Sequence, residues 1–308
     1  MATRIIFLIV CLTTLACKND KLVTGQYPDH PLFHLNSDTQ WTLVKEIPLR
    51  FRAWHTQGIV KIGPYYYVST VEVIRRTKRL EQPQGKLDRD AGEGRGHIIK
   101  FDEEGNLLAD LLVGEGNAYH PGGMDYDGKY IWVPVTEYRP FSFSVIYRVN
   151  PETMTAEKVM EYNESIGAIV HDTEKRMLIG VNWDARIFYP WLMDKTGKVT
   201  NADVAPEKLG IRRCSFYVAF QDGQYLGDHL MFWSGSMGVS NGEQSLAVGG
   251  WEVFDTRDFR PVYQLPVKLY TPEGRVMTGN PCAIETTDSQ HIRAYFLPRD
   301  VLYVYESQ

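Results

Sequence analysis

The chain has 308 residues, 44% hydrophobic and 23% charged, a globular balance with ample material for a core. Its formal charge of -5 argues against nucleic acid as a partner, because such binders carry a basic surface. The 26 glycines, 16 prolines and 18 tyrosines suit an all-β protein with many tight turns.

In chain order, Arg4 opens an apolar run over 5–16, the length of a signal-peptide hydrophobic region and too short for a transmembrane helix. The run ends in Thr14-Leu15-Ala16-Cys17, which resembles the lipobox of bacterial lipoprotein signals, with Thr14 where leucine is usual. The resemblance implies a signal over 1–17 and a lipidated Cys17 as the new N-terminus. It also implies an envelope location with the lipid anchor as the sole membrane contact. Cleavage without lipidation is the alternative. Lys18-Asn19-Asp20 is similar to the charged export tag of Bacteroides-type surface lipoproteins. Residues 18–40 are polar, contain Pro28 and Pro31, and read as a tether to a single domain over 41–308.

A repeated motif organises that domain: an apolar strand ends in an acid or amide and a turn follows. It occurs as Ile99-Lys-Phe-Asp102, Tyr147-Arg-Val-Asn150, Trp191-Leu-Met-Asp194, Glu252-Val-Phe-Asp255 and Tyr303-Val-Tyr-Glu306, at spacings of 48, 44, 61 and 51 residues. Intervals of this size are propeller blades, some carrying insertions. Strands are expected at 55–62, 65–73, 97–102 and 106–113, then at 119–126, 129–137, 143–150 and 156–161. The third blade takes 166–171, 175–183, 186–194 and 197–203, and the fourth 214–220, 228–234, 249–255 and 259–266. The last repeat supplies only 280–286, 290–297 and 300–306, and Trp41-Thr-Leu-Val-Lys-Glu-Ile-Pro48 is available as its missing outer strand. The expectation is a five-bladed β-propeller closed by its N-terminal strand, which removes an exposed edge. Asp127-Gly128 and Asp222-Gly223 read as hairpin turns on one rim. Cys214 and Cys282 read as two buried free thiols, a disulfide being the alternative in an oxidising compartment.

The start of each inner strand and the end of each second strand share the other rim. It collects His55, Gln57, Tyr119, His120, Cys214, Ser215 and Asn280 with Glu72, Glu137, Tyr138, Arg139, Asn182, Trp183, Asp184, Arg186, Trp233 and Arg299. Few of these are turn formers, and polar groups facing a channel need partners. Two long insertions, 75–96 (charged) and 235–248 (Gly/Ser-rich), fall on the same rim as lids or solvated loops.

Glu72 and Glu137 occupy equivalent blade positions, as do His55 and His120. Paired carboxylates suit glycoside hydrolysis, and neutral imidazoles suit general base catalysis at a glycoside, lactone or ester bond. Trp183, Trp233 and Tyr138 would give a sugar ring an apolar face. Gln57, Tyr119, Arg139, Asn182, Asp184, Arg186 and Asn280 complete the candidate binding set for a small molecule or carbohydrate. The same four residues, His55, His120, Glu72 and Glu137, would suit a divalent metal ion such as zinc or manganese, and Glu72, Glu137, Asn182 and Asn280 would suit calcium. The other reading is a non-catalytic, lipid-anchored ligand- or protein-binding module, with both carboxylates serving as ion-pair partners of residues such as Arg139 or Arg186.

His55-Thr-Gln57-Gly58, Tyr119-His-Pro-Gly-Gly-Met-Asp125 and Val135-Thr-Glu-Tyr-Arg-Pro140 resemble a family of uncharacterised secreted proteins, mostly bacterial, from about residue 41 to the end. The resemblance implies one folded unit and no particular reaction. More loosely, the chain looks like gluconolactonase-type propellers, whose motifs it lacks.

Overall fold

Five antiparallel sheets follow one another around a central axis in the computed structural model, which describes residues 30–240, 242, 245–287 and 291–308. From the axis outward, the first blade is His55–Ile62, Tyr65–Arg75, Glu93–Phe101 and Leu107–Val113. In the second, Ala118–Pro121 and Asp125–Tyr126 together form the inner strand, followed by Ile131–Glu137, Ser144–Asn150 and Thr155–Tyr162. The third is Ile166–Asp172, Met177–Asn182, Ile187–Leu192 and Ile211–Arg212; the fourth is Ala219–Gly227, Leu230–Ser240, Ser245–Asp255 and Arg260–Pro266. The fifth combines Cys282–Thr286, Ile292–Phe296 and Val301–Ser307 with Trp41–Pro48, which pairs antiparallel to the last strand from Trp41↔Ser307 to Pro48↔Val301. The protein is therefore an all-β, five-bladed propeller closed by its first strand.

Each hydrophobic cluster lies between two adjacent blades. Trp132, Ile146 and Met160 of the second blade meet Ile169, Leu178 and Trp191 of the third. Phe188 and Val181 meet Trp233 and Phe254 across the next interface, and Phe232 and Trp251 meet Ile292 and Phe296 across the one after. Sheets covered on both faces bury consecutive side chains, which is why strands such as Ile131–Glu137 are apolar almost throughout.

The axis holds two buried carboxylates. Asp222 Oδ2 accepts from the backbone N–H of Ile59 (2.8 Å) and Cys282 (3.0 Å), and its Oδ1 accepts from Met124 (3.0 Å) and Gly223 (3.1 Å). Asp125 Oδ2 accepts from His171 (2.9 Å) and Tyr225 (3.3 Å), and its Oδ1 accepts from Tyr126 (2.9 Å). Between them these side chains tie the inner strands of all five blades. Burial raises both carboxyls, Asp222 well above its usual value and Asp125 to about 7. The crowding also accounts for two motif glycines. A Cβ on Gly123 would lie 2.8 Å from Asp222 Oδ1, and one on Gly58 would lie 2.8 Å from the Gly123 Cα.

Several expectations change. Asp222-Gly223 is no turn: both residues lie inside the fourth inner strand, which runs over Ala219–Gly227 rather than 214–220. The third outer strand is the two-residue Ile211–Arg212 rather than 197–203, because Asn201 and Thr200 fold back on Leu192 and the helix Pro206–Leu209 intervenes. Cys282 is buried, but Cys214 is exposed and precedes its strand; both thiols are free. Residues 31–35, read as tether, form a turn whose Leu32 (0% exposed) and Leu35 (5%) enter the cluster between the fourth and fifth blades. Both insertions are hairpins. Arg79–Gln84 pairs with Leu87–Arg89, and strands Leu230–Ser240 and Ser245–Asp255 pair along their full length. The signal, Cys17 and the export-tag residues lie outside the described residues.

A cavity of about 280 Å³ opens at the ends of the inner strands, lined by Lys61, Tyr126, Gln224, Glu285 and, from the N-terminal segment, His30. Among the described residues no helix is long and apolar enough to cross a membrane.

Candidate functional site

At the opposite rim, where inner strands start, His55 pairs with Val71 and His120 with Thr136, so Glu72 and Glu137 each follow the residue that faces a histidine, and Glu137 itself pairs with Ala118 across a bulge. A cleft of about 1060 Å³ opens there. His55, Glu72, Tyr138, Trp183 and Arg299 line it, joined by Arg52, Trp54, Arg76, Arg89 and Asp300.

Aromatic contacts shape its floor. Tyr138 stacks on His120 (4.4 Å between centroids, 26°) and stands 5.9 Å from Trp183, which lies 5.4 Å from His120. The Tyr138 hydroxyl is 3.4 Å from His55 Nδ1. His120 is 6% exposed, and its Nε2 has no hydrogen-bond partner among the described residues. Burial, with a smaller contribution from the nearby His55, pushes its pKa down to about 3. Partial desolvation also lowers the pKa of His55, so both rings are neutral at pH 7.

The carboxylates are each engaged by a guanidinium: Glu72 by Arg95 (3.1 Å) at the cleft wall, and the buried Glu137 by Arg139. Glu137 does not border the cleft. Arg139 also donates to the Arg89 carbonyl (2.9 Å), and the Tyr119 hydroxyl donates to the Ala91 carbonyl (2.6 Å). Tyr119, Glu137 and Arg139 thus root the Arg79–Arg89 hairpin on the second blade, and the hairpin presents Arg89 to the cleft.

Other candidates are dispersed. Trp233 is fully buried, stacked on Phe220 at 4.9 Å, because its side chain faces the blade interface. Gln57 is buried at the channel and bonded to Gln221. Asn280 donates to the carbonyls of Val276 and Met277. Asn182 Oδ1 caps a turn through the N–H groups of Arg186 and Ile187. With Asp184 and Arg186 it lines a neighbouring groove beyond Trp183. Among the described residues no three His, Cys, Asp or Glu side chains gather as a metal site. The zinc or manganese set is not assembled, since Tyr138 and Trp183 cover His120 and guanidiniums hold the two carboxylates. The calcium set is scattered, with both amides committed to backbone.

Arg52, Trp54, Arg76, Arg89 and Asp300 are absent from the strand-end pattern. The charged insertion 75–96, with its basic run Arg75-Arg-Thr-Lys-Arg79, signals Arg76 and Arg89, whereas Arg52, Trp54 and Asp300 sit in irregular segments that strand periodicity does not reach.

A family model matches residues 12–307. The chain belongs to DUF6454, a family of unknown function. No curated protein matches this DUF6454 chain. Solved structures similar to it include the glutaminyl cyclase of Myxococcus xanthus (10% identity, 87% of this chain and 96% of that chain, TM-score 0.48). An α-L-arabinofuranosidase of Clostridium thermocellum is similar at 10% identity, over 80% of this chain and 83% of that one, with TM-score 0.45. A luciferin-regenerating enzyme is similar at 10% identity, over 88% and 95%, with TM-score 0.48. These are similarities of fold alone.

Proposed function

We propose that the rim cleft binds a small anionic molecule or an acidic carbohydrate. The observation that carries this reading is its surplus of guanidinium groups. Arg52, Arg76, Arg89 and Arg299 face only Glu72 and Asp300. Arg89 is held by Asp88 (2.8 Å) and Glu72 by Arg95, while Arg52, Arg76 and Arg299 make no ion pair among the described residues. Asp300 is committed in part to the Ala53 N–H (2.9 Å). Guanidinium groups on a concave wall suit a carboxylate, sulfate or phosphate, which they can bind in bidentate fashion.

A second reading adds hydrolysis of a glycoside, lactone or ester bond. His55 favours it: the imidazole faces the cleft, is neutral at pH 7 and stands beside the Tyr138 hydroxyl, so it can take a proton from water. Without turnover, the same cleft belongs to a binding module. The lipobox-like Thr14–Cys17 supports an envelope location with a lipid anchor.

Calorimetry with matched anionic and neutral sugars tests the main reading. Anionic sugars bind, neutral ones do not, and Arg52→Ala with Arg299→Ala weakens binding at least about tenfold, the loss of one charge-assisted hydrogen bond. Equal binding of neutral sugars, or indifference to the double substitution, would overturn it.

A further inference from the structure

Trp54 has a backbone conformation the local chain does not call for. Among the described residues, eight non-glycine residues have φ in the left-handed region, and seven fall in turns or bends between strands. Trp54, at φ 51°, falls in neither and leads directly into the first inner strand. For a bulky residue this conformation is disfavoured and persists only where the surroundings impose it.

The surroundings do so. The Ala53 N–H donates to Asp300 (2.9 Å), and the Ala53 carbonyl accepts from the buried Thr70 hydroxyl. The indole stacks on His97 (4.4 Å, 23°), and His97 is itself buried and bonded through Nδ1 to Asp110 (2.9 Å). Trp54 is half-buried: its indole stacks on His97 and packs against the cluster between the first and fifth blades, and the residue lines the cleft together with Arg52 and His55.

We propose that Trp54 is a rigid stacking wall and that the ligand is a cyclic anion. Its ring lies on the indole, and its carboxylate, sulfate or phosphate is held by Arg52 and Arg299. The proposal rests on the anion-binding reading and narrows it to a ring-bearing class. It makes Trp54 a specificity-determining residue that discriminates ring from open chain at equal charge.

The test uses two charge-matched pairs of probes: methyl β-D-glucuronide with D-gluconate, and glucose 6-phosphate with sorbitol 6-phosphate. Calorimetry on the wild type and on Trp54→Gly and Trp54→Phe gives ring-to-open-chain affinity ratios. Glycine adopts φ 51° without strain, so Trp54→Gly removes the ring while suiting the backbone. For at least one pair the wild type should prefer the ring about five- to tenfold, in line with one aromatic stack. Trp54→Phe should keep most of that ratio. Trp54→Gly should bring it to about one, by weakening the ring-bearing member of the pair more than the open-chain one. A wild-type ratio near one in both pairs overturns the inference and leaves anion binding standing. A ratio unchanged by Trp54→Gly overturns it as well. Failure of all four anions to bind overturns the anion reading together with it.

Discussion

Replacing Asp222 by alanine removes one acceptor shared by four backbone N–H groups, three of them in other blades. Ile59, Met124 and Cys282 would be left with buried donors at the axis, each costing about 1–3 kcal/mol when unsatisfied. Two effects offset part of this. A buried carboxylate whose pKa is raised carries a desolvation penalty that the variant escapes, and water can enter the vacated space. The net loss should be about 3–5 kcal/mol, or roughly 6–20 °C in Tm for a domain of this size. Asp222→Asn is the sharper probe. It keeps the shape, but its amide nitrogen must face N–H groups, donor against donor, so it should be nearly as damaging as alanine. Thermal melts and urea titrations of both variants measure this directly. An asparagine variant within about 1 kcal/mol of wild type would refute the claim that the carboxylate is the common acceptor.

Three further outcomes follow from other parts of the molecule. Asp125, raised in the folded state from 3.8 to about 7, binds a proton on folding between those values. Its contribution to stability is therefore fully present below about pH 4 and is lost as pH rises through about 7; the stability difference between wild type and Asp125→Asn, measured in urea at pH 5 and pH 8, should shift in that direction. Leu32→Ala should destabilise by about 2–5 kcal/mol, as for any fully buried leucine, whereas a residue in a mere tether would change nothing measurable. Cys17→Ser should abolish incorporation of labelled fatty acid and release the protein from the membrane fraction of a bacterial host; unchanged labelling would rule out the lipobox reading.

The ring and its closure were legible because they rest on periodicity. Trp41–Pro48 has the length and composition of a strand and no partner within its own stretch of chain, and the last repeat lacks one strand. The hub was not legible, because Asp222-Gly223 has the composition of a hairpin turn. Only the fold shows that three neighbouring strands direct N–H groups at that side chain. The hairpin over 79–89 was read as a loop because Arg79-Leu-Glu-Gln-Pro-Gln84 is polar and interrupted by proline; it stands on its backbone pairing and on anchors from Arg139 and Tyr119. At the candidate site, the strand-end pattern contains five residues that line one cleft, His55, Glu72, Tyr138, Trp183 and Arg299. Trp233 was misplaced because position along a strand does not say which way the side chain faces. Trp54 and Arg52 escape the pattern because irregular chain carries no period, whereas Arg76 belongs to the charged insertion.

The N-terminal segment also sets a direction. His30 borders the small cavity at the ends of the inner strands, the face away from the arginine-lined cleft. Twelve residues lie between it and Cys17, thirteen steps that span at most about 47 Å when fully extended. An acyl chain on Cys17 would join the propeller through His30, on the face opposite the arginine-lined cleft.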